Sequence, residues 1–243
     1  LMRTAPTAAT LALLAAAAHA GPPYQTDDPQ PTPAGHYEVY FFAAGASAHD
    51  GHGGTAGIDF NYGAAPDLQL TAVLPYAWDD PAGAPTARGL AGIELAAKYR
   101  FIHQADAGLD VAVFPRLILP AIERSPGERH ASLLLPVWLQ RSGERWSAFG
   151  GGGCALHRGG DARDTCMLGL AASWQATSRL QLGAEIHHET PAERGAYART
   201  GLGFGLGYDL GERWHLLAAA GPGIQNRMST DRTQWYASCL LTL

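Results

Sequence analysis

Polar and apolar residues alternate with a period of two along almost the whole chain from His36 onward. In the clearest stretch, Ile93, Leu95 and Ala97 interleave with polar or small residues. Such alternation is typical of strands that have one apolar and one polar face. The pattern predicts an all-β fold of about twelve strands. The predicted strands are 36–48, 54–64, 67–77, 88–103, 108–119, 129–141, 145–155, 164–175, 179–189, 198–209, 212–223 and 232–243.

The links between these strands alternate in length. Short links and longer polar or Gly/Pro-rich links follow one another, which is typical of an up-and-down outer-membrane β-barrel in a Gram-negative cell. Both termini then lie on the short-link rim, which faces the periplasm in such barrels. The short links are 65–66, 104–107, 142–144, 176–178 and 211, and the longer ones are 49–53, 78–87, 120–128, 156–163, 190–197 and 224–231.

Aromatic residues cluster near the strand ends rather than at the strand centres. Amphipathic rings prefer the membrane interface, so this placement predicts two aromatic belts. A secreted soluble β-sandwich, the competing interpretation, would bury its aromatics in the middle of the strands. The predicted belt residues are Tyr62, Tyr76, Phe101, Trp146, Trp174, Tyr208, Trp214 and Trp235.

The polar face of the strands predicts a hydrophilic interior. Unpaired backbone groups are costly in hydrocarbon, so a spanning sheet must close on itself with its apolar face outward. Charged groups inside need water or a partner beside them, which leaves two interpretations, a wet lumen and a lumen packed shut by ion pairs. The predicted lumen-lining residues are Glu38, Asp59, Asn61, Gln69, Glu94, Lys98, Arg100, Asp110, Arg116, Gln181, Glu185 and His187.

Composition excludes several other classes of protein. Apolar residues make up 47% of the chain, which argues against disorder, and charged residues only 16%. The apolar run 8–18 is too short for a membrane helix, which needs about 18 or more residues. The net charge of −5 comes with no basic cluster, so we expect no nucleic-acid partner.

The N-terminal region resembles an export signal. Arg3 precedes the apolar run, and Ala18-His19-Ala20 forms a cleavage motif, so residues 1–20 are predicted to be a signal peptide. Residues 21–35 are predicted to be an extended periplasmic segment, and residues 36–243 form the barrel. Prolines at 29, 31 and 33 exclude a helix in this segment.

The extended segment is expected to lie under or inside the periplasmic mouth. Its acidic pair Asp27-Asp28 could meet the inward cations Lys98 and Arg100, which suggests the hypothesis that it plugs the bore. Glycines alternate with apolar residues at 201, 203, 205 and 207, and this predicts an inward face that leaves bore space or allows curvature.

Few residues indicate chemistry, and no catalytic, cofactor or metal site is predicted. Cys154 and Cys166 flank a predicted hairpin loop nearly symmetrically. An exported protein can join such a pair by a disulfide; the alternative is two unpaired thiols. The third cysteine, Cys239, alternates with leucines and is expected to face lipid. Adjacent His187 and His188 point to opposite faces of a strand and cannot share a metal ion without a bulge.

Several segments resemble one family of exported proteobacterial proteins. The matching stretches are 21–29, 34–38, 74–76, 92–101, 114–120, 135–138 and 149–153. They are similar to the outer-membrane barrels of the "MetA-pathway of phenol degradation" or transporter-like family. The resemblance implies passive passage of small, aromatic or otherwise hydrophobic compounds, with outer-membrane lipid, small solutes and the barrel assembly machinery as partners.

The sequence therefore predicts a porin-like channel without enzymatic activity. One alternative is a closed structural or adhesive barrel. Another is an outer-membrane lipid hydrolase that would use Ser132 or Ser173 with His188, although the chain has no G-x-S-x-G motif.

Overall fold

The computed structural model describes residues 23–121, 130–157, 163–191 and 195–243. Over these ranges the chain forms a single sheet of fourteen strand segments, with one short helix. The predicted signal peptide, residues 1–20, lies outside the described residues. The segments are β1 (Tyr37–Ser47), β2 (Gly51–Ala65), β3 (Leu68–Pro81), β4 (Ala87–Leu90), β5 (Glu94–Ile102), α1 (Gln104–Ala107), β6 (Asp110–Val113), β7 (Arg116–Ile118), β8 (Ser132–Ser142), β9 (Trp146–His157), β10 (Thr165–Gln175), β11 (Leu180–Glu189), β12 (Arg199–Asp209), β13 (Trp214–Pro222) and β14 (Thr233–Thr242).

Antiparallel pairing closes the sheet into a barrel. Strands adjacent in the chain pair with each other except β4 with β5 and β6 with β7, and β1 also pairs with β14. At the rim, the amides of Tyr37 and Leu243 each donate to the other residue's carbonyl at 2.9 Å. Because β4 and β5 act as one barrel strand, and so do β6 and β7, the barrel has twelve strands. The predicted all-β, twelve-stranded antiparallel barrel is confirmed.

Two strands are interrupted where the sequence predicted continuous ones. The predicted strand 88–103 is split into β4 and β5, and the predicted strand 108–119 into β6 and β7. Pro115 lies in the second break and has no amide hydrogen to donate to a neighbouring strand. Pro75 of β3 lies beside the first break, where the Ala91 amide donates to its carbonyl at 3.0 Å. Proline removes one ladder hydrogen bond, so regular pairing stops there.

Links also differ from the prediction. The predicted long link 49–53 is wrong, because β2 begins at Gly51 and its first residues pair with β3 as far as Pro81. The predicted short link 104–107 contains α1, which is followed by Gly108 with φ 80°, whose amide donates to the Gln104 carbonyl at 2.9 Å. The predicted long links 120–128, 156–163 and 190–197 fall partly outside the described residues.

Apolar side chains cover the outer surface of the barrel. Phe41, Leu70 and Leu95 are each exposed by 46%, and Leu168 by 64%. A soluble monomer rarely exposes a contiguous apolar surface of this extent, whereas lipid-facing strands require one. No helix in the described part of the chain is long and apolar enough to cross a membrane.

The interior holds the described part of the N-terminal segment, residues 23–35. The segment leaves β1 at the short-link rim, where the Gly35 amide donates to the Gly63 carbonyl at 2.8 Å. It then passes inside the barrel, where Thr26 and Pro29 are fully buried. The sequence left open whether this segment lies under the mouth or inside it, and the structure places it inside.

Candidate functional site

The predicted lumen residues occupy the inward positions of their strands. Among the described residues, the interior contains two cavities of about 280 and 610 Å³. The first lies toward the short links, the second toward the long links. Of the predicted residues, Arg100, Asp110 and His187 line neither cavity; Gln30 of the N-terminal segment is hydrogen-bonded to Arg100 and Asp110, and Gln234 contacts the His187 ring. The first is lined by Glu38, Asp59, Asn61, Gln69, Glu94, Lys98, Arg116 and Gln181, and the second by Glu185 and also Arg116.

The N-terminal segment separates these two cavities. Tyr24 and Gln25 line both of them, together with Tyr236 and Arg116 of the barrel wall. The Tyr24 ring lies 6.1 Å from the ring of Phe149. Burial, followed by the charge of Glu185, raises the pKa of the Tyr24 hydroxyl to about 12.

Glu185 of β11 is the main anchor of the segment. Its carboxylate accepts hydrogen bonds from the Gln25 amide at 3.2 Å, the Thr26 amide at 3.0 Å and the Thr26 hydroxyl at 2.9 Å. On the opposite wall, the Gln69 side-chain carbonyl accepts from the Thr32 amide at 2.7 Å. Burial and charged acceptors make such bonds stronger than exposed ones.

A second anchor is electrostatic. The Lys98 ammonium lies 3.0 Å from Asp27 and 3.7 Å from Asp28, which are the residues that suggested the plug hypothesis. Burial raises the pKa of the Asp28 carboxyl to about 6, although Lys98 opposes the shift. Arg100 reaches the segment too, by donating to the Gln30 side-chain oxygen.

Glycines on the inner face form the seat for this segment. A Cβ on Gly169 would lie 2.0 Å from the Thr26 hydroxyl, and one on Gly205 would lie 2.6 Å from the Tyr24 ring. The sequence predicted that glycines at 201, 203, 205 and 207 leave bore space. At Gly205 the space is occupied by Tyr24, because only a residue without a side chain lets the segment lie this close to the wall.

Ion pairs also join side chains elsewhere on the inner face of the barrel. The Arg116 guanidinium forms a two-point contact with Glu94 at 2.7 and 3.0 Å. Nearer the long links, Arg199 lies between Glu189 at 2.7 Å and Asp231 at 2.6 Å. Neither Arg199 nor Asp231 was predicted as a lumen residue. The inward parity of β12 could have indicated Arg199, whereas Asp231 lies in a link without periodicity.

The β2–β3 turn carries a further charged contact. Asp67 accepts hydrogen bonds from Arg100 at 2.6 and 2.9 Å and lies 2.9 Å from the His103 ring. Burial acts to raise the pKa of Asp67, but these bonds outweigh it, so the pKa lies below its ordinary value.

The cysteines and belt residues lie on the outward parity of the strands. Cys154 and Cys166 are paired in register and joined by a disulfide, with their Cα atoms 4.0 Å apart. Cys239 lies opposite Phe41 of β1 and Leu216 of β13. Tyr62 stacks on Tyr37 with ring centroids 4.8 Å apart. The other belt residues, Tyr76, Phe101, Trp146, Trp174, Tyr208, Trp214 and Trp235, are exposed by 39–50%.

The structure does not bring together the residues of the alternative lipid-hydrolase prediction. Ser173 faces inward, with its hydroxyl 2.8 Å from that of Ser147. His188 has the outward parity, and its ring lies 2.8 Å from the Thr200 hydroxyl. Ser132 is buried on β8. In the described ranges, no group of three or more His, Cys, Asp or Glu residues is placed to hold a metal ion.

Comparison with known proteins identifies the fold. No protein-family model matches the chain, and no curated protein does. Among solved structures, the COG4313 outer membrane channel from Pseudomonas putida F1 superimposes with a TM-score of 0.71 at 11% identity, over 89% of this chain and 98% of that one.

Two further outer-membrane proteins superimpose less closely. A KdgM porin in complex with oligogalacturonate has a TM-score of 0.52 at 12% identity, over 85% of this chain and 96% of that one. The CymD monoaromatic hydrocarbon channel has a TM-score of 0.51 at 10% identity, over 87% and 88%. The chain therefore has the fold of outer-membrane channels. Its resemblance to the MetA-pathway family stays a prediction.

Proposed function

We propose that this protein is an outer-membrane channel for the passive passage of small molecules. The observation that carries the proposal is a closed barrel with an apolar exterior, whose polar interior contains two cavities on either side of a thin N-terminal segment. Such a barrel satisfies its backbone hydrogen bonds internally, as a structure in lipid must. Outer-membrane lipid and the barrel assembly machinery are then its partners, and the rim where β1 begins and β14 ends faces the periplasm.

Small aromatic or otherwise hydrophobic solutes are the proposed cargo. The larger cavity has aromatic walls from Tyr24 and Tyr236, and small residues from β1, β2 and β13 leave room between them. A volume of about 610 Å³ falls within the range of small-molecule sites. The fold similarity to a monoaromatic hydrocarbon channel is consistent with this choice.

Liposome swelling tests the proposal. Vesicles containing the refolded protein should swell in small phenols faster than protein-free vesicles, and faster than in sugars of similar mass. Equal swelling with and without protein for every solute would contradict the proposal. Planar-bilayer conductance, with and without phenols, provides an independent measurement.

A closed structural or adhesive barrel is the second candidate. The burial of the segment and its ion pairs with Lys98 favour it. Deleting residues 24–33 separates the two candidates. A plugged channel gains single-channel conductance when the segment is removed, whereas a barrel packed shut by its own wall does not.

The lipid-hydrolase alternative gains no support from the geometry. Ser173 and His188 lie on opposite faces of the barrel wall, so the Ser173 hydroxyl cannot reach the His188 ring. Assays of phospholipid and lipid A turnover with wild type and a His188→Ala variant test this directly.

A further inference from the structure

Carboxylates outnumber cations in the wall of the smaller cavity. Lys98 and Arg116 are its two basic residues in the described part of the chain. Five acidic residues face them, leaving an excess of three negative charges when all are ionised: Asp27, Asp28, Glu38, Asp59 and Glu94.

Ion pairs account for only part of this charge. Lys98 pairs with Asp27 and Asp28, and Arg116 pairs with Glu94. Within the described ranges, no lysine or arginine nitrogen comes within 4.0 Å of Glu38 or Asp59. Neutral groups donate to them instead, the Tyr40 hydroxyl to Glu38 at 3.2 Å and the Asn61 amide to Asp59 at 2.9 Å.

The same sign of charge continues toward the long links. The larger cavity is lined by three carboxylates, Glu185, Glu189 and Asp231, and by two cations, Arg116 and Arg199, of which Arg199 binds Glu189 and Asp231. A third cavity, of about 360 Å³ at the long-link rim, is lined by Asp50, Asp79 and Asp231, with His52 as its one basic side chain of the described set. The acidic excess therefore extends from that rim to the middle of the barrel.

We propose that Glu38 and Asp59 make the lumen selective for small cations over anions. This inference rests on the proposed channel function and deepens it. A narrow path with low-dielectric walls concentrates the field of its charges, so a carboxylate without a fixed cation attracts mobile ones. Rings of Asp and Glu side chains confer cation selectivity on pores in this way.

The test measures the reversal potential of the refolded full chain in planar bilayers under a KCl gradient. We expect K⁺ to permeate about tenfold better than Cl⁻, the lower end of the enrichment that a charged cleft produces. The double variant Glu38→Gln/Asp59→Asn should lower this ratio by at least about threefold. The single variant Asp59→Asn removes one of the two charges and should lower the permeability ratio less than the double variant. It affects one side-chain hydrogen bond, which Asp59 accepts from Asn61.

A matched control removes the same charge elsewhere. Asp106 of α1 and Glu144 of the β8–β9 link are both exposed, so Asp106→Asn/Glu144→Gln should leave the permeability ratio unchanged. Heat-modifiable gel mobility verifies that each variant folds. A wild-type ratio at or below one, or the same decrease in both double variants, overturns the inference while the channel proposal stands. Absence of any conductance, even after deletion of residues 24–33, overturns both.

Discussion

Replacing Glu185 by glutamine tests whether the N-terminal segment closes the lumen. Glu185 accepts three hydrogen bonds from the segment, from the Thr26 amide and hydroxyl at 3.0 and 2.9 Å and from the Gln25 amide at 3.2 Å. A glutamine has one accepting oxygen and one NH₂ group, so in either orientation of the amide at least one of these donors loses its acceptor, and the remaining bonds lose their charged acceptor. A hydrogen bond to a charged group contributes about 1.5–3 kcal/mol and one to a neutral group about 1 kcal/mol, so the change should cost the seated segment about 3 kcal/mol.

That loss corresponds to a roughly 100-fold increase in the ratio of released to seated segment. In single-channel recordings, the time spent in the higher conductance level should rise by about that factor, or until it saturates. The matched control is Glu189→Gln, which removes one carboxylate from the same face of β11 but leaves the segment's bonds intact. If both variants fold and show equal open time, the segment is not held by Glu185 and the reasoning is wrong.

Three further outcomes follow from the structure. Gly205→Ala should raise conductance by displacing Tyr24, since overpacking costs about 1–3 kcal/mol. Gly207→Ala on the same face should not, because its Cβ would come no closer than 3.3 Å to the nearest side chain. Equal conductance in the two variants would contradict the packing of Tyr24 against Gly205. Asp67 has a lowered pKa, so its bonds to Arg100 stabilise the barrel above the ordinary carboxyl pKa of about 3.9 and lose that effect as pH falls through the lowered value. Asp67→Asn should therefore lower the heat-modification temperature at pH 7 and flatten its acid dependence, and an unchanged acid profile would refute the assignment; Asn tolerates the residue's φ of 63°. Reducing the disulfide between β9 and β10 should lower the heat-modification temperature, because closing a loop of this size contributes about 3 kcal/mol. Conductance should not change, and a change would show that the disulfide affects the shape of the lumen.

Alternation along the chain was sufficient to predict the barrel wall. The ranges of β8 to β14 agree with the predicted strands within about three residues, because a strand that separates lipid from a polar interior must alternate at every position. The two interrupted strands were missed because a proline's effect depends on which neighbour would have accepted its missing hydrogen bond. Pro115 lies in one break itself, whereas Pro75 lies on β3, and only the register brings it beside the break between β4 and β5.

The lumen was predicted in part for the same reason. Alternation identified which charged side chains point inward, and the opposite charges of Asp27 and Lys98 suggested their contact. The Arg199–Asp231 pair was missed because its two residues belong to different elements, separated by 32 positions. The glycine face of β12 was interpreted as bore space or a site of curvature, because a sequence does not show which side chain from elsewhere in the chain packs against it.

Residue order alone determined the strands, their inward and outward faces and the presence of an extended segment before β1, since each is a local consequence of side-chain polarity or proline geometry. Only the tertiary structure decided where that segment lies. Thr26 meets Glu185 across 159 positions of the chain, and it fits there because the pairing of β10, β11 and β12 places Gly169, Gly183 and Gly205 on one side of the interior. Such a fit depends on the register of several strands at once, which no single stretch of sequence specifies.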